Sequence, residues 1–141
     1  MIDERITHFL GRHHVLTLAT TNSQGIPYCS NAFYCYDKER NILIFSAGDE
    51  TLHAQQMALN PHVAASIALE TRIVGKVQGL QICGTAARAD EQARSRYLKR
   101  FPYAALVELT LWSVTPNLLK LTDNTLGFGK KLIWKISESS L

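Results

Sequence analysis

Three β-patterned runs lie between His13 and Ala47, and the turns joining them are too short to bring any strand back parallel. The first, His13 to Thr20, sets Leu16 and Leu18 on one face and Thr17 on the other. Thr21-Asn-Ser-Gln-Gly-Ile-Pro27 is dense in turn formers and leads into the second, Tyr28 to Tyr36, which is rich in aromatics. Asp37-Lys-Glu-Arg-Asn41 turns the chain into the third, Ile42 to Ala47. A parallel return needs a crossover of roughly a dozen residues or more, so these runs must be antiparallel neighbours.

The third run breaks at Gly48-Asp49 and becomes a helix, Leu52 to Leu59, opened by Asp49 or Thr51 and stopped by Asn60-Pro61. A hydroxyl at a strand end, facing the unpaired amides of a helix N-terminus, is a recipe for holding a phosphate or another anion. The plainer reading is a strand-to-helix turn with a capping hydroxyl, the commoner use of Ser, Thr and Asp there.

Around this corner the remaining elements fall into place. Ile2, Ile6, Phe9 and Leu10 make a helical stripe over Met1 to Leu10, with Gly11 as its stop. His62 to Leu69 reads as a fourth strand and Leu80 to Ala87 as a fifth, with Gly84 marking a bulge or a close backbone approach. Asp90 caps a helix over Glu91 to Phe101, and Tyr103 to Leu109 continues in helical turns. Leu111 to Thr115 and Leu118 to Thr122 read as strands six and seven around Pro116-Asn117, and the tail after Ile136 is polar. The chain is mainly β with inserted helices, and a sheet of that size closes on itself to bury its edges. A small antiparallel barrel is expected.

Composition narrows the function classes. With 141 residues and 46% hydrophobic content the chain supports one domain, 1–141, with a real core. No run approaches the roughly 18 apolar residues of a membrane span. The N-terminal Met1-Ile-Asp-Glu-Arg-Ile6 lacks the basic-then-apolar order of an export signal. Cys29, Cys35 and Cys83 are odd in number with no CxxC pair, so they read as buried thiols in a reducing, cytoplasmic compartment. A net charge of +3, with Arg94, Arg96, Lys99 and Arg100 on one helix, is a solvated face and too sparse for a nucleic-acid footprint. His8, His13, His14 and His62 have no companion pattern for a metal.

Several motifs are more specific than these features. The order of elements, the Ser46–Thr51 corner, Asn60-Pro61 leading into a strand, and Gly84 inside strand five together resemble the flavin-binding split-barrel superfamily of pyridoxamine 5'-phosphate oxidase. Asn31-Ala-Phe-Tyr34, His53-Ala-Gln55, Arg100-Phe-Pro102 and Thr122-Asp-Asn-Thr-Leu-Gly-Phe-Gly-Lys-Lys131 resemble the uncharacterised bacterial YhbP family within it. The resemblance implies an antiparallel split β-barrel and a homodimer with flavin mononucleotide (FMN) at the subunit interface. Carried over residue by residue, it implies Ser46 and Thr51 as phosphate donors, with His53 standing where relatives usually place Lys or Arg. Asn31 and Phe33 would lie along the isoalloxazine ring and Gln81 would reach it by hydrogen bond. Trp112, Lys130 and Lys131 are candidates to arrive from the other subunit.

One departure weakens the implied site. A histidine with its unperturbed pKa of about 6.5 is only partly charged at neutral pH, so the phosphate has no permanent cation beside it. No nucleophile, paired carboxylate or Ser/His/Asp arrangement stands out. That is compatible with a flavin oxidoreductase, whose chemistry belongs to the cofactor. It is equally compatible with a non-catalytic protein holding a flavin, a haem-type ring or another phosphorylated ligand on the same barrel.

Overall fold

The computed structural model describes residues 1–137, so the end of the polar tail lies outside the described residues. Helix α1 (Glu4–Arg12) starts at Asp3, whose carboxylate accepts from the Arg5 amide. It buries Ile6, Phe9 and Leu10. Gly11 does not stop this helix: it forms part of the last turn, and the chain leaves at His13. Strands β1 (Val15–Thr21), β2 (Pro27–Asp37) and β3 (Ile42–Ser46) form the expected antiparallel meander. Helix α2 (Leu52–Leu59) and strand β4 (His62–Leu69) have the bounds that the sequence implies. Then come a 3₁₀ turn at Val74–Lys76, β5 (Gln78–Arg88) and α3 (Glu91–Arg100), capped by Asp90. A second 3₁₀ turn, Pro102–Leu106, is shorter than the helical run expected to reach Leu109.

The segment expected as strands six and seven is one strand, β6 (Leu111–Asp123). Pro116 does not break it, because the register slips opposite Cys83/Gly84, and Pro116, which has no amide to donate, sits at that irregularity. The last strand is instead β7 (Lys131–Lys135), reached through a 3₁₀ turn at Asn124–Leu126.

The sheet runs β3-β2-β1-β4-β5-β6-β7, and β3 also pairs with β6, closing six strands into a barrel. β6 gives Leu111–Val114 to β3 and Leu118–Thr122 to β7. The barrel is therefore split along β6, and β7 stands outside the closed ring. Inside lie Leu16, Leu18, Tyr34, Phe45, Ile67, Leu80, Leu119 and Leu121, sealed by Phe9 and Leu10 of α1 and by Ala54 and Met57 of α2. A second core of Cys35, Ile42, Ile44, Ala93, Tyr97 and Leu111 lies under α3. Among the described residues no helix is long and apolar enough to cross a membrane.

Two buried polar links fix the helices. Thr20 Oγ1 donates to Gln56 Oε1 at 2.6 Å, tying α2 to β1. Tyr34 Oη donates to the Leu10 carbonyl at 2.7 Å, tying β2 to the end of α1. Arg100, at the end of α3, reaches the carbonyls of Gly11 and His13, where a cation satisfies groups that α1 leaves open.

Candidate functional site

Helix α3 covers the outer side of β3 and of one end of β2. The outer face of β1, β4 and β5 has no helix over it. Its register sets Asn31, Thr17, Ser66, Gln81 and Lys120 in one row across β2, β1, β4, β5 and β6. Thr17 Oγ1 donates to Asn31 Oδ1 at 3.0 Å, which leaves the Asn31 amide hydrogens turned outward. The Gln81 side chain is exposed and has no hydrogen-bond partner among the described residues. Asn31 and Gln81 are three strand spacings apart, about 14 Å. The next row along carries Phe33 opposite Val15, with Phe33 61% exposed.

Phe33 also forms one wall of a groove. Its ring meets Phe101 edge-on, with centroids 6.3 Å apart, and Tyr97, Tyr103, Val107 and Leu109 complete an apolar groove of about 430 Å³. Since Tyr34 pairs with Phe45, one further step places Ser46 beside Phe33 and on the same outer face. Asn31, Phe33 and Ser46 thus gather along one edge of the exposed face.

The strand-to-helix corner continues from Ser46. Thr51 caps α2: its hydroxyl donates to the Gly48 carbonyl at 2.7 Å and accepts from the Ala54 amide at 3.3 Å. Its proton is thereby in use, as the plainer reading of the sequence has it. The Leu52 and His53 amides and the Ser46 hydroxyl have no partner among the described residues. These are the groups an anion would meet at the first turn of a helix. Partial burial lowers the His53 imidazole pKa below the ordinary histidine value, which favours its neutral form. The Glu50 carboxylate folds back against Gly48, and an anion entering there needs this exposed side chain to swing outward.

The donor set therefore fits a phosphate held by amide and hydroxyl dipoles, without a formal charge beside it. For the ring, Phe33 offers an apolar face, while the Asn31 and Gln81 amides offer hydrogen bonds.

Trp112 sits elsewhere. It is 3% exposed, lies opposite Phe45 in this protomer's own core, and buries its Nε1 with no acceptor among the described residues. Lys130 and Lys131 are exposed at the start of β7, with Lys131 opposite Thr122. The structure brings neither lysine near the Ser46 corner within one chain.

Arg88, which no motif in the sequence singles out, is a cation behind the corner whose charge is already paired with an acid. Its guanidinium holds Asp49 at 2.6 Å and lies over the Trp112 ring. Its only sequence signal is a basic residue ending strand five, which looks like any solvated strand terminus. Among the described residues no group of three or more His, Cys, Asp or Glu is placed to hold a metal.

Known proteins share this architecture. The pyridoxamine 5'-phosphate oxidase family profile matches residues 2–119. A UPF0306 protein of Photorhabdus laumondii is 38% identical over 134 residues, covering 92% of this chain and 93% of that protein. Among solved structures, a haem-binding protein from Mycobacterium smegmatis superposes with a TM-score of 0.71 at 19% identity, over 93% of this chain and 55% of that one. A FAD-binding protein from Mesorhizobium loti superposes with a TM-score of 0.69 at 13% identity, over 84% of this chain and 90% of that one. One barrel thus serves more than one ring system. With its closed six-strand ring, its uncovered outer face and its near-full-length match to the UPF0306 protein, the chain belongs to the pyridoxamine 5'-phosphate oxidase family, in its UPF0306 (YhbP) branch.

Proposed function

We propose that this protein is a homodimeric FMN-binding oxidoreductase whose cofactor lies on the uncovered outer face. The observation that carries the reading is the run of Gln81, Asn31, Phe33 and Ser46 along that face, ending at the free amides of Leu52 and His53. Two hydrogen-bonding amides, an aromatic plane and an anion corner follow in the order that a phosphorylated tricyclic ring requires. Asn31 and Gln81 would orient the ring and Phe33 would shield one side from water. Ser46 with the α2 amides would hold the phosphate. FMN, when bound, supplies hydride or single-electron transfer, which is why the chain needs no acid, base or nucleophile of its own.

The composition of the same face supports the dimeric reading. Val15, Thr17, Ala19, Ala64, Ser66, Ala68 and Cys83 make it small and largely apolar, a composition suited to burial against a second copy.

The test is a visible spectrum of purified protein, followed by titration with FMN, FAD and haem. Flavin bands, preferential FMN binding and bleaching by NADH or NADPH are the expected result. A Soret band in place of flavin bands would replace this cofactor with a haem-type ring. Flavin bands that no reductant bleaches would leave a carrier and remove the enzyme.

A further inference from the structure

The turn between β6 and β7 is built to hold one ring in water. Asp123 Oδ1 accepts from the Thr125 amide and hydroxyl at 2.9 and 2.6 Å. Asn124 Oδ1 accepts from the Gly129 amide at 2.9 Å, and Asn124 Nδ2 donates to the Val74 carbonyl at 2.8 Å. Gly127 and Gly129 take left-handed backbone angles, with φ of 132° and 71°, that other residues rarely adopt. The product of this ordering is Phe128, 86% exposed, in a turn that also leaves Leu126 exposed and that Asn124 ties to exposed Val74. A turn so closely bonded around a bare phenyl ring presents that ring to a partner.

The same chain carries a receptacle of matching chemistry. The apolar groove of Phe33, Phe101, Tyr103, Val107 and Leu109 has room for an aromatic side chain. Exposed Glu108 sits between two of its lining residues, while Lys130 and Lys131 follow Phe128. Apolar matches apolar and basic matches acidic. Within one protomer the two features do not meet, because no residue of the β6–β7 turn lines the groove.

The register supplies the geometry. Ala68, Gly79, Thr122 and Lys131 share one row of the outer face. Thr17 pairs with Ser66, so two residues along Val15 falls beside Ala68, and Phe33 opposite Val15 joins that row. A two-fold axis running along the strands between β4 and β5 lays β2 of one copy over β7 of the other at unchanged height. β7, outside the closed ring, is the strand free to reach across.

We infer that Phe128 of each subunit inserts into the Phe33–Val107 groove of the other, with Lys130 and Lys131 brought toward Glu108. The inference rests on the dimeric reading above and extends it. Each cofactor position is then walled on its Phe33 side by the second copy, so a lone protomer has an incomplete site.

The test uses two full-length proteins in a Cys29→Ser, Cys83→Ser background, one carrying Phe128→Cys and the other Val107→Cys, mixed and treated with a short bis-maleimide. A covalent species of twice the chain mass that forms only on mixing is the expected result. Phe128→Cys cross-linking to itself, and not to Val107→Cys, overturns the inference, since the axis then runs across the strands. A dimer by sedimentation that gives no mixed product also overturns it, and leaves the flavin reading standing. Cross-linking in a protein that binds no flavin supports the interface and removes the cofactor. In the native background, Phe128→Asp is expected to raise the dimer dissociation constant at least about tenfold, a hot-spot effect; an unchanged constant overturns the inference.

Discussion

The Arg88 guanidinium lies 4.6 Å from the centroid of the Trp112 ring and from that position holds Asp49, at the turn between β3 and α2. The corner proposed to receive phosphate is thus braced from behind by a cation whose charge is already shared with an acid. Arg88→Ala is expected to lower stability by about 0.5–1 kcal/mol, chiefly through the lost ring contact, because exposed ion pairs contribute little. Chemical unfolding of the two proteins measures it, and Arg88→Lys should recover only part, since an ammonium does not stack as a guanidinium does.

His53 gives the sharpest ligand prediction. Half-buried, with desolvation favouring its neutral form, it gives the phosphate no permanent charge partner. His53→Lys is expected to tighten FMN binding roughly ten- to a hundredfold, the equivalent of about 1.5–3 kcal/mol for one charge-assisted contact. Because partial burial disfavours the charged imidazole, the wild-type histidine gains its proton at a lower pH than an ordinary histidine does. The advantage of the lysine variant should therefore narrow between neutral and mildly acidic pH. Fluorescence titration at several pH values tests both the gain and its narrowing, and equal affinities throughout would place the phosphate elsewhere.

Gly84 sits where β5 and β6 press together. A Cβ there would stand 2.6 Å from the Thr115 carbonyl oxygen and 2.9 Å from Val114 Cγ1, and the carbonyl is backbone that cannot turn aside. Gly84→Ala is expected to cost about 1–3 kcal/mol as overpacking, read as a lower thermal midpoint.

Thr20→Val keeps the shape of the Thr20 side chain and removes its hydroxyl. Gln56 Oε1, buried and bonded to that hydroxyl at 2.6 Å, is then left without a donor. A loss of about 1–3 kcal/mol is expected in urea denaturation, with α2 becoming less protected from hydrogen exchange.

Acid sensitivity should centre on Arg40. It bonds Asp37 at 3.1 Å and Asp90 at 2.8 Å, joining the β2–β3 turn to the cap of α3. Burial on its own would raise the Asp37 carboxyl, but hydrogen bonds from the Arg40 side chain and amide outweigh it and hold the group below its usual range. Asp90 is lowered by its bond to Arg40 and by the Ala93 amide. Carboxyls lowered in the folded state add stability above their unfolded pKa, about 3.9, and lose it as pH falls through the folded value. Arg40→Met should accordingly flatten the acid limb of the stability curve below about pH 4 and weaken the fold at neutral pH.

Local chemistry explains which features the sequence made visible. The bounds of α2 and β4 were readable because Thr51 and Asn60-Pro61 are strong start and stop signals in close succession. Gly84 announced its close approach by being a glycine within an alternating strand. Gly11 misled because a C-terminal stop and a helical glycine look alike until the Arg100 contacts with the Gly11 and His13 carbonyls are known. Pro116 misled because proline breaks a strand only where its missing amide is needed, and the slip opposite Gly84 removes that need. Asn31, Phe33 and Ser46 were individually visible, but their common edge depends on pairings between β2, β1 and β3. Arg88 and the Thr20–Gln56 bond join residues 39 and 36 positions apart, distances at which local periodicity carries no signal.

β6 changes neighbours halfway along, and the chain beyond Lys130 consequently acts as a shield. Cutting the protein there would leave the β3–β6 seam shut while stripping the backbone amides and carbonyls of Leu118–Thr122 of the β7 strand they pair with. A bare, apolar strand edge recruits other molecules. The shortened protein would keep its barrel and gain an edge prone to self-association.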